Sequence, residues 1–159
     1  MEWEIRQSEL DSSVNFIAEH PDGGKLEARY VQREPDQFII YLSSHTGCEK
    51  SCRFCHLTAT RQTMFTPTPV EMYHEQAWIV YKHYDALTLS AIPTRVNYNW
   101  MARGEPLANP TMLETPGEIL ETLQYMARER DLVPRLRFLP SCPTKSKTSL
   151  WWQPSRRDI

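Results

Sequence analysis

No apolar run in this 159-residue chain approaches the roughly 20 residues that span a bilayer, so no transmembrane helix is expected. The N-terminus, Met1-Glu2-Trp3-Glu4-Ile5-Arg6, lacks the basic segment and apolar stretch of a secretory leader, and the expected compartment is the cytoplasm. Charge of one sign is missing too: 18 Lys and Arg against 20 Asp and Glu leave a net charge of −2. That balance offers no electrostatic support for a nucleic-acid partner, which ordinarily leaves a basic footprint. The basic cluster that exists lies in the tail, at Lys145, Lys147, Arg156 and Arg157. Cysteines number only four, and in a reducing compartment they are expected as metal ligands or reactive thiols rather than disulfides.

What is present concentrates in one loop. Three of the four cysteines fall as Cys48-x-x-x-Cys52-x-x-Cys55. Iron–sulfur clusters are held by Cys thiolates, usually in sets of four. Three thiolates can hold three irons of a [4Fe–4S] cube and leave the fourth iron without a protein ligand, the counterpart of an open catalytic metal site. The competing expectation is a structural zinc site completed by His45, His56 or Cys142, although the duplicated Cys-x-x-Cys pairs usual for zinc are lacking. His74 and His83, nine residues apart in a helical stretch, lack metal-ligand spacing and are expected to be packed or solvent-facing.

The rest of the chain suits one soluble α/β domain, being 40% hydrophobic and 24% charged. Alternation over 13–19, a turn at Pro21-Asp22-Gly23-Gly24 and a return over 25–31 predict a β-meander. The apolar run Phe38-Ile39-Ile40-Tyr41-Leu42 predicts a strand buried on both faces, as in a parallel sheet. Helical spacing predicts a helix from Pro69 to Ala86, capped by Thr68, with Val70, Tyr73, Ala77, Val80, Tyr81 and Tyr84 inward. A strand over 95–101 follows, its Asn97 and Asn99 marking a polar face, then a helix over 116–130 capped by Thr115 and a strand over 135–139. Alternating β and α segments predict a partial (β/α) barrel with a parallel sheet. The expected organisation is a β-hairpin extension over 1–37, a partial barrel over 38–139 and an irregular tail over 140–159. Since a complete βα barrel usually needs about 200 residues or more, the chain is expected to be a shortened form of something longer. Both the cysteines and Gly104-Glu105-Pro106 follow predicted strands, at the carboxyl edge where βα folds place ligands.

Cys48-x-x-x-Cys52-x-Phe54-Cys55 after a buried strand resembles the radical SAM superfamily. The resemblance implies a radical-SAM barrel that binds a [4Fe–4S] cluster through Cys48, Cys52 and Cys55, and S-adenosylmethionine. It further implies that Phe54 lies near the adenine and that Gly104 and Glu105 contact the methionine ammonium, a charge-assisted bond a carboxylate can accept. Within the superfamily the chain resembles the RlmN/Cfr-type RNA adenine methyltransferases. Ser43-Ser44-His45-Thr46-Gly47-Cys48 is similar to their Ser-Ser-Gln-Val-Gly-Cys, and Arg103-Gly104-Glu105-Pro106-Leu107-Ala108-Asn109 to their Met-Gly-Glu-Pro-Leu-x-Asn. The similarity runs from about Ser13 to Phe138 and implies 23S rRNA or tRNA as substrate and an electron donor such as flavodoxin or ferredoxin. Glu27, on the strand after the Asp22-Gly23-Gly24 turn, inherits the family's proton-acceptor role.

Two departures stand out. The family resolves a methylated adduct with a cysteine seven residues before the first cluster ligand, and that position holds Tyr41. Its methyl-carrying cysteine would lie well beyond residue 159, and the one spare thiol is Cys142. The alternatives are therefore a catalytically incomplete remnant, or radical chemistry on a different substrate.

Overall fold

The computed structural model describes residues 1–62, 66–89 and 91–137. The expected tail and its Cys142 lie outside them. Six strands form one sheet in chain order: β1 (Glu4–Gln7), β2 (Val14–Glu19), β3 (Lys25–Glu34), β4 (Gln37–Tyr41), β5 (Arg95–Asn99) and β6 (Val133–Arg137). The first four pair antiparallel, and β4, β5 and β6 pair parallel. Among the described residues four helices intervene: α1 (His56–Ala59) and α2 (Val70–Asp85) before β5, then α3 (Pro110–Glu114) and α4 (Pro116–Arg128) before β6. A 3-10 turn, Pro106–Ala108, precedes α3.

The β2–β3 hairpin forms for the reasons its sequence gives. Val14, Phe16 and Ala18 point to the core while their neighbours do not, and Gly23 takes φ +83° in the turn. Helices α2 and α4 pack against each other and against the sheet, α2 on β3 and α4 on β6. Between helices and sheet lie Phe16, Tyr30, Phe38, Ile40, Val96, Tyr98, Ala77, Val80, Tyr81, Ile119 and Leu123, all nearly inaccessible to solvent. Each large side chain buried there contributes about 2 kcal/mol of apolar transfer. The Tyr98 hydroxyl donates to the Leu123 carbonyl at 2.6 Å and bonds the Tyr81 hydroxyl, so the polar tips in this core are satisfied.

Several expectations need correction. Strand β4 is fully buried on its Phe38 and Ile40 side only; Ile39 and Tyr41 are half-buried, because the helices cover one face. The opposite face is polar, as Asn97 and Asn99 indicated: register places Asn15, Arg29, Tyr41, Asn99 and Arg137 in one row across β2 to β6. Helix α2 starts one residue late, capped by Pro69 without a side-chain bond, because the Thr68 hydroxyl donates to the Ser43 carbonyl at 3.1 Å instead. Thr115 holds the cap position of α4, yet its hydroxyl bonds back to the Thr111 carbonyl at 3.0 Å. Strand β5 stops at Asn99, and β6 begins two residues before the expected Arg135. His83 is packed, its ring 5.2 Å from that of Tyr30, and His74 is exposed. Among the described residues no helix is long and apolar enough to cross a membrane.

Candidate functional site

Parallel pairing aligns the ends of β4 and β5, and from both ends the chain runs into the segments that carry the motifs. Leu42 N–H donates to the Asn99 carbonyl at 2.9 Å and Ser44 N–H to the Arg103 carbonyl at 2.8 Å, extending the pairing past the strands. Residues Leu42 to Gly47 are buried. Backbone buried outside regular structure must find partners, and here side chains supply them. Gln76 on α2 accepts from Ser43 N–H at 2.7 Å and donates to the Ser43 carbonyl at 3.1 Å. The Ser43 hydroxyl exchanges bonds with the Glu27 backbone, accepting at 2.9 Å and donating at 2.6 Å. Asn109, wholly buried, reaches the Ser44 carbonyl at 2.7 Å and the Thr68 carbonyl at 3.0 Å.

The hairpin turn is fastened to the same loop. Asp22 accepts from Gly24 N–H at 2.7 Å, from the Thr46 hydroxyl at 2.8 Å and from the Thr66 hydroxyl. Lys25 N–H donates to the Thr46 carbonyl at 2.9 Å. Burial pushes the Asp22 carboxyl up, but the bonds from Thr66, Gly24, Thr46 and His20 outweigh it and hold the group well below the usual carboxylate range. This clamp carries β3 beyond the end of β4 and lays Glu27 beside Ser43.

Cys48, Cys52 and Cys55 occupy the loop that follows, all half-buried free thiols. Cys48 N–H donates to the Gln62 carbonyl at 3.2 Å, and Cys55 caps the short helix α1. Burial raises the Cys48 thiol, and repulsion from the neighbouring Cys52 and Cys55 acts in the same direction. Among the described residues, no three His, Cys, Asp or Glu side chains converge on one metal position. Phe54, 83% exposed, stands out from the loop.

Gly104 and Glu105 face this loop. Gly104 has φ +86°, and a Cβ there would lie 2.5 Å from His45 Nδ1 and 2.6 Å from Ser44 Oγ. The close approach and the left-handed backbone both require glycine. Glu105, 8% exposed, shares a narrow hollow with Cys48, His45 and Gly104. The structure thus brings Cys48, Gly104 and Glu105 together, while Phe54 stays outside the hollow's lining. Glu27 approaches from the hairpin and meets Arg103, with Nε 3.5 Å from its carboxylate.

Arg103 is the residue that sequence reasoning passed over. It is 6% exposed, and its Nη1 donates to Gln62 Oε1 at 2.5 Å. Burial pulls its pKa down, while Glu27 and Cys55 push it back up. Its one signal in the sequence is a cation placed directly before Gly104-Glu105. Gln62 and Gln76 gave no motif at all, and Asp22 was marked only as part of the hairpin turn, not as its clamp.

No protein-family profile matches the chain. A dual-specificity RNA methyltransferase RlmN from Anaeromyxobacter sp. (strain Fw109-5) is 31% identical over 121 residues, 76% of this chain and 31% of that protein. The RlmN of Desulfosudis oleivorans is 29% identical over 103 residues, covering 65% of this chain and 26% of its own length. Among solved structures, a radical SAM methyltransferase from Sphaerobacter thermophilus shares the fold with a TM-score of 0.59 at 18% identity, over 76% of this chain and 33% of that one. The chain therefore spans about a third or less of these proteins. Its six-stranded α/β sheet is a partial radical SAM methyltransferase fold, and the chain is related to the RlmN/Cfr-type enzymes.

Proposed function

We propose that this chain is the cluster- and S-adenosylmethionine-binding part of an RlmN/Cfr-like RNA adenine methyltransferase. The observation that carries the reading is the meeting of Cys48 with Gly104 and Glu105 in one hollow, at the aligned carboxyl ends of β4 and β5. The donor set suits a [4Fe–4S] cluster in kind, being three half-buried thiols on one loop, but among the described residues the three do not converge on one metal position. Cys48, Cys52 and Cys55 would hold it. When bound, such a cluster supplies an open iron for the amino and carboxylate groups of S-adenosylmethionine and passes on the electron for its reductive cleavage.

The remaining roles belong to the protein. Glu105 offers a carboxylate to the ligand ammonium, and Gly104 lets the backbone come close. Phe54, exposed on the cysteine loop, is free to lie against the adenine. Glu27 is the proton acceptor, held over the loop by the Asp22 clamp and by Arg103. An RNA substrate of the 23S rRNA or tRNA class and a flavodoxin- or ferredoxin-like donor follow from the relationship to RlmN.

Tyr41 favours a second reading. It lies on the polar sheet face, in register with Arg29 and Asn99, where the family places a resolving cysteine. A phenol cannot open the methylated adduct as a thiolate does. On this reading the chain cleaves S-adenosylmethionine without methylating adenine.

One assay separates the two. The full chain is reconstituted anaerobically with iron and sulfide, then given S-adenosylmethionine, a strong reductant and RNA. 5′-Deoxyadenosine with methylated adenine supports the first reading. 5′-Deoxyadenosine alone supports the second, and neither product contradicts both.

A further inference from the structure

Helices α2 and α4 cover one face of the sheet, and the other holds a local surplus of positive charge that the net charge of −2 conceals. Residues paired across strands share a face. Register therefore sets Arg29, Tyr41, Asn99 and Arg137 in one row of the uncovered face, with Arg135 beside Asn97 in the next. Acids around that row already have cations. Glu4 pairs with Arg6 at 2.7 Å, Glu19 with Lys25 at 2.5 Å and Asp36 with Arg95, while Glu27 faces Arg103 at 3.5 Å. Glu34 stands apart at the far end of β3. Arg29 Nη2 donates to the Ser13 hydroxyl at 2.9 Å, whose own proton goes to Asp11, and its buried Nε has no hydrogen-bond partner among the described residues. Arg135 and Arg137 are exposed and have no ion pair among the described residues. Within the row, Tyr41 is half-buried, and Asn99 is buried with its Oδ1 unpaired among the described residues. A fold ordinarily satisfies its buried polar groups, so this face presents polar chemistry that its own residues leave incomplete.

Neighbouring strands lie about 4.8 Å apart, which separates Arg29 on β3 from Arg137 on β6 by about 14 Å, with Tyr41 and Asn99 between them. Arg135 lies about 6.6 Å from Arg137 along β6. Guanidinium groups grip phosphates through two parallel bonds, and an aromatic ring offers a flat seat for a base. Cations on either side of an aromatic suit a ligand in which phosphates flank a base. We propose that this face is a platform for single-stranded RNA, on which Arg29 at one end and Arg135 with Arg137 at the other hold phosphates around a base stacked on Tyr41. A duplex keeps its bases inside the helix and cannot give one to Tyr41. The proposal rests on the reading of RNA as substrate, and it requires no metal at the cysteine loop. It also gives Tyr41 a role that needs no thiol.

The test uses the metal-free full chain and a fluorescein-labelled, adenine-containing single-stranded RNA. Fluorescence anisotropy gives the affinity over a series of KCl concentrations, and circular dichroism reports the fold. For a single strand each phosphate contact adds about 0.7 to the slope of log affinity against log salt. Arg135→Gln and Arg137→Gln are each expected to weaken binding and to lower that slope by about 0.7, as is Arg29→Gln. Tyr41→Leu should weaken binding roughly five-fold or more with the slope unchanged, and Tyr41→Phe should stay near the wild type. Arg128→Gln, exposed on helix α4, is the control and should alter neither quantity. If Arg29→Gln fails to fold, the variants of the exposed Arg135 and Arg137 decide. Wild-type slopes and affinities in those two would overturn the platform and leave RNA as substrate. Loss of binding only when Lys145, Lys147, Arg156 and Arg157 of the tail are neutralised would do the same, as would equal affinity for a duplex of the same sequence. A wild-type chain that binds no RNA would overturn the RNA reading and this proposal with it.

Discussion

Gly104 shows how closely the two loops of the site approach. Its φ of +86° is rarely adopted by residues with a Cβ, and that Cβ would meet His45 and Ser44 well inside van der Waals contact. Ser44 is pinned by Asn109 and His45 is buried, so neither yields easily. Gly104→Ala is therefore expected to cost about 2 kcal/mol or more, read as a lower denaturation midpoint by urea titration. Gly117 is a useful control, since a Cβ there meets nothing within 4 Å. Gly117→Ala should leave the midpoint unchanged or raise it, as alanine is the better helix former.

Among the elements, the β2–β3 hairpin is the one whose docking has a measurable electrostatic signature. Asp22 joins the turn to Thr46 and Thr66, and its pKa is depressed in the folded protein. A depressed carboxyl stabilises the fold above its unfolded pKa of about 3.9, and that stability drains away as pH falls below it. Asp22→Ala should lose about 2 kcal/mol near neutral pH, and the gap to the wild type should narrow on acidification below pH 4 (roughly). A gap constant with pH would mean the carboxylate's charge is not what holds the hairpin. The hairpin itself was legible in the sequence, because its alternation and glycine turn are local signals. Strand β1 was not: Glu4, Ile5, Arg6 and Gln7 are all exposed and show no burial pattern to read. Helices α1 and α3, of four and five residues, are too short to display a helical period. The cysteine and Gly-Glu-Pro motifs announced the site, yet its assembly depended on long-range bonds. Glu27 to Arg103, Ser43 to Gln76 and Asn109 to Ser44 join residues remote in sequence, and no local pattern encodes them.

Among the described residues the sheet carries helices and aromatic core on one face and a polar row with Tyr41 at its centre on the other. Parallel pairing of β4 with β5 aligns the cysteine loop with the Gly-Glu loop, and the antiparallel hairpin brings Glu27 to the same end. This arrangement matches the partial radical SAM methyltransferase fold and gives every candidate group a common edge. The claim on which the functional account depends is that the three thiols hold an iron–sulfur cluster. The direct measurement is the metal and acid-labile sulfide content of the anaerobically reconstituted chain, with its visible absorbance, alongside Cys52→Ser. The account predicts iron and sulfide in nearly equal amounts, a brown chromophore and their loss in Cys52→Ser. One tightly bound zinc per chain, with no sulfide and no visible band, would contradict it.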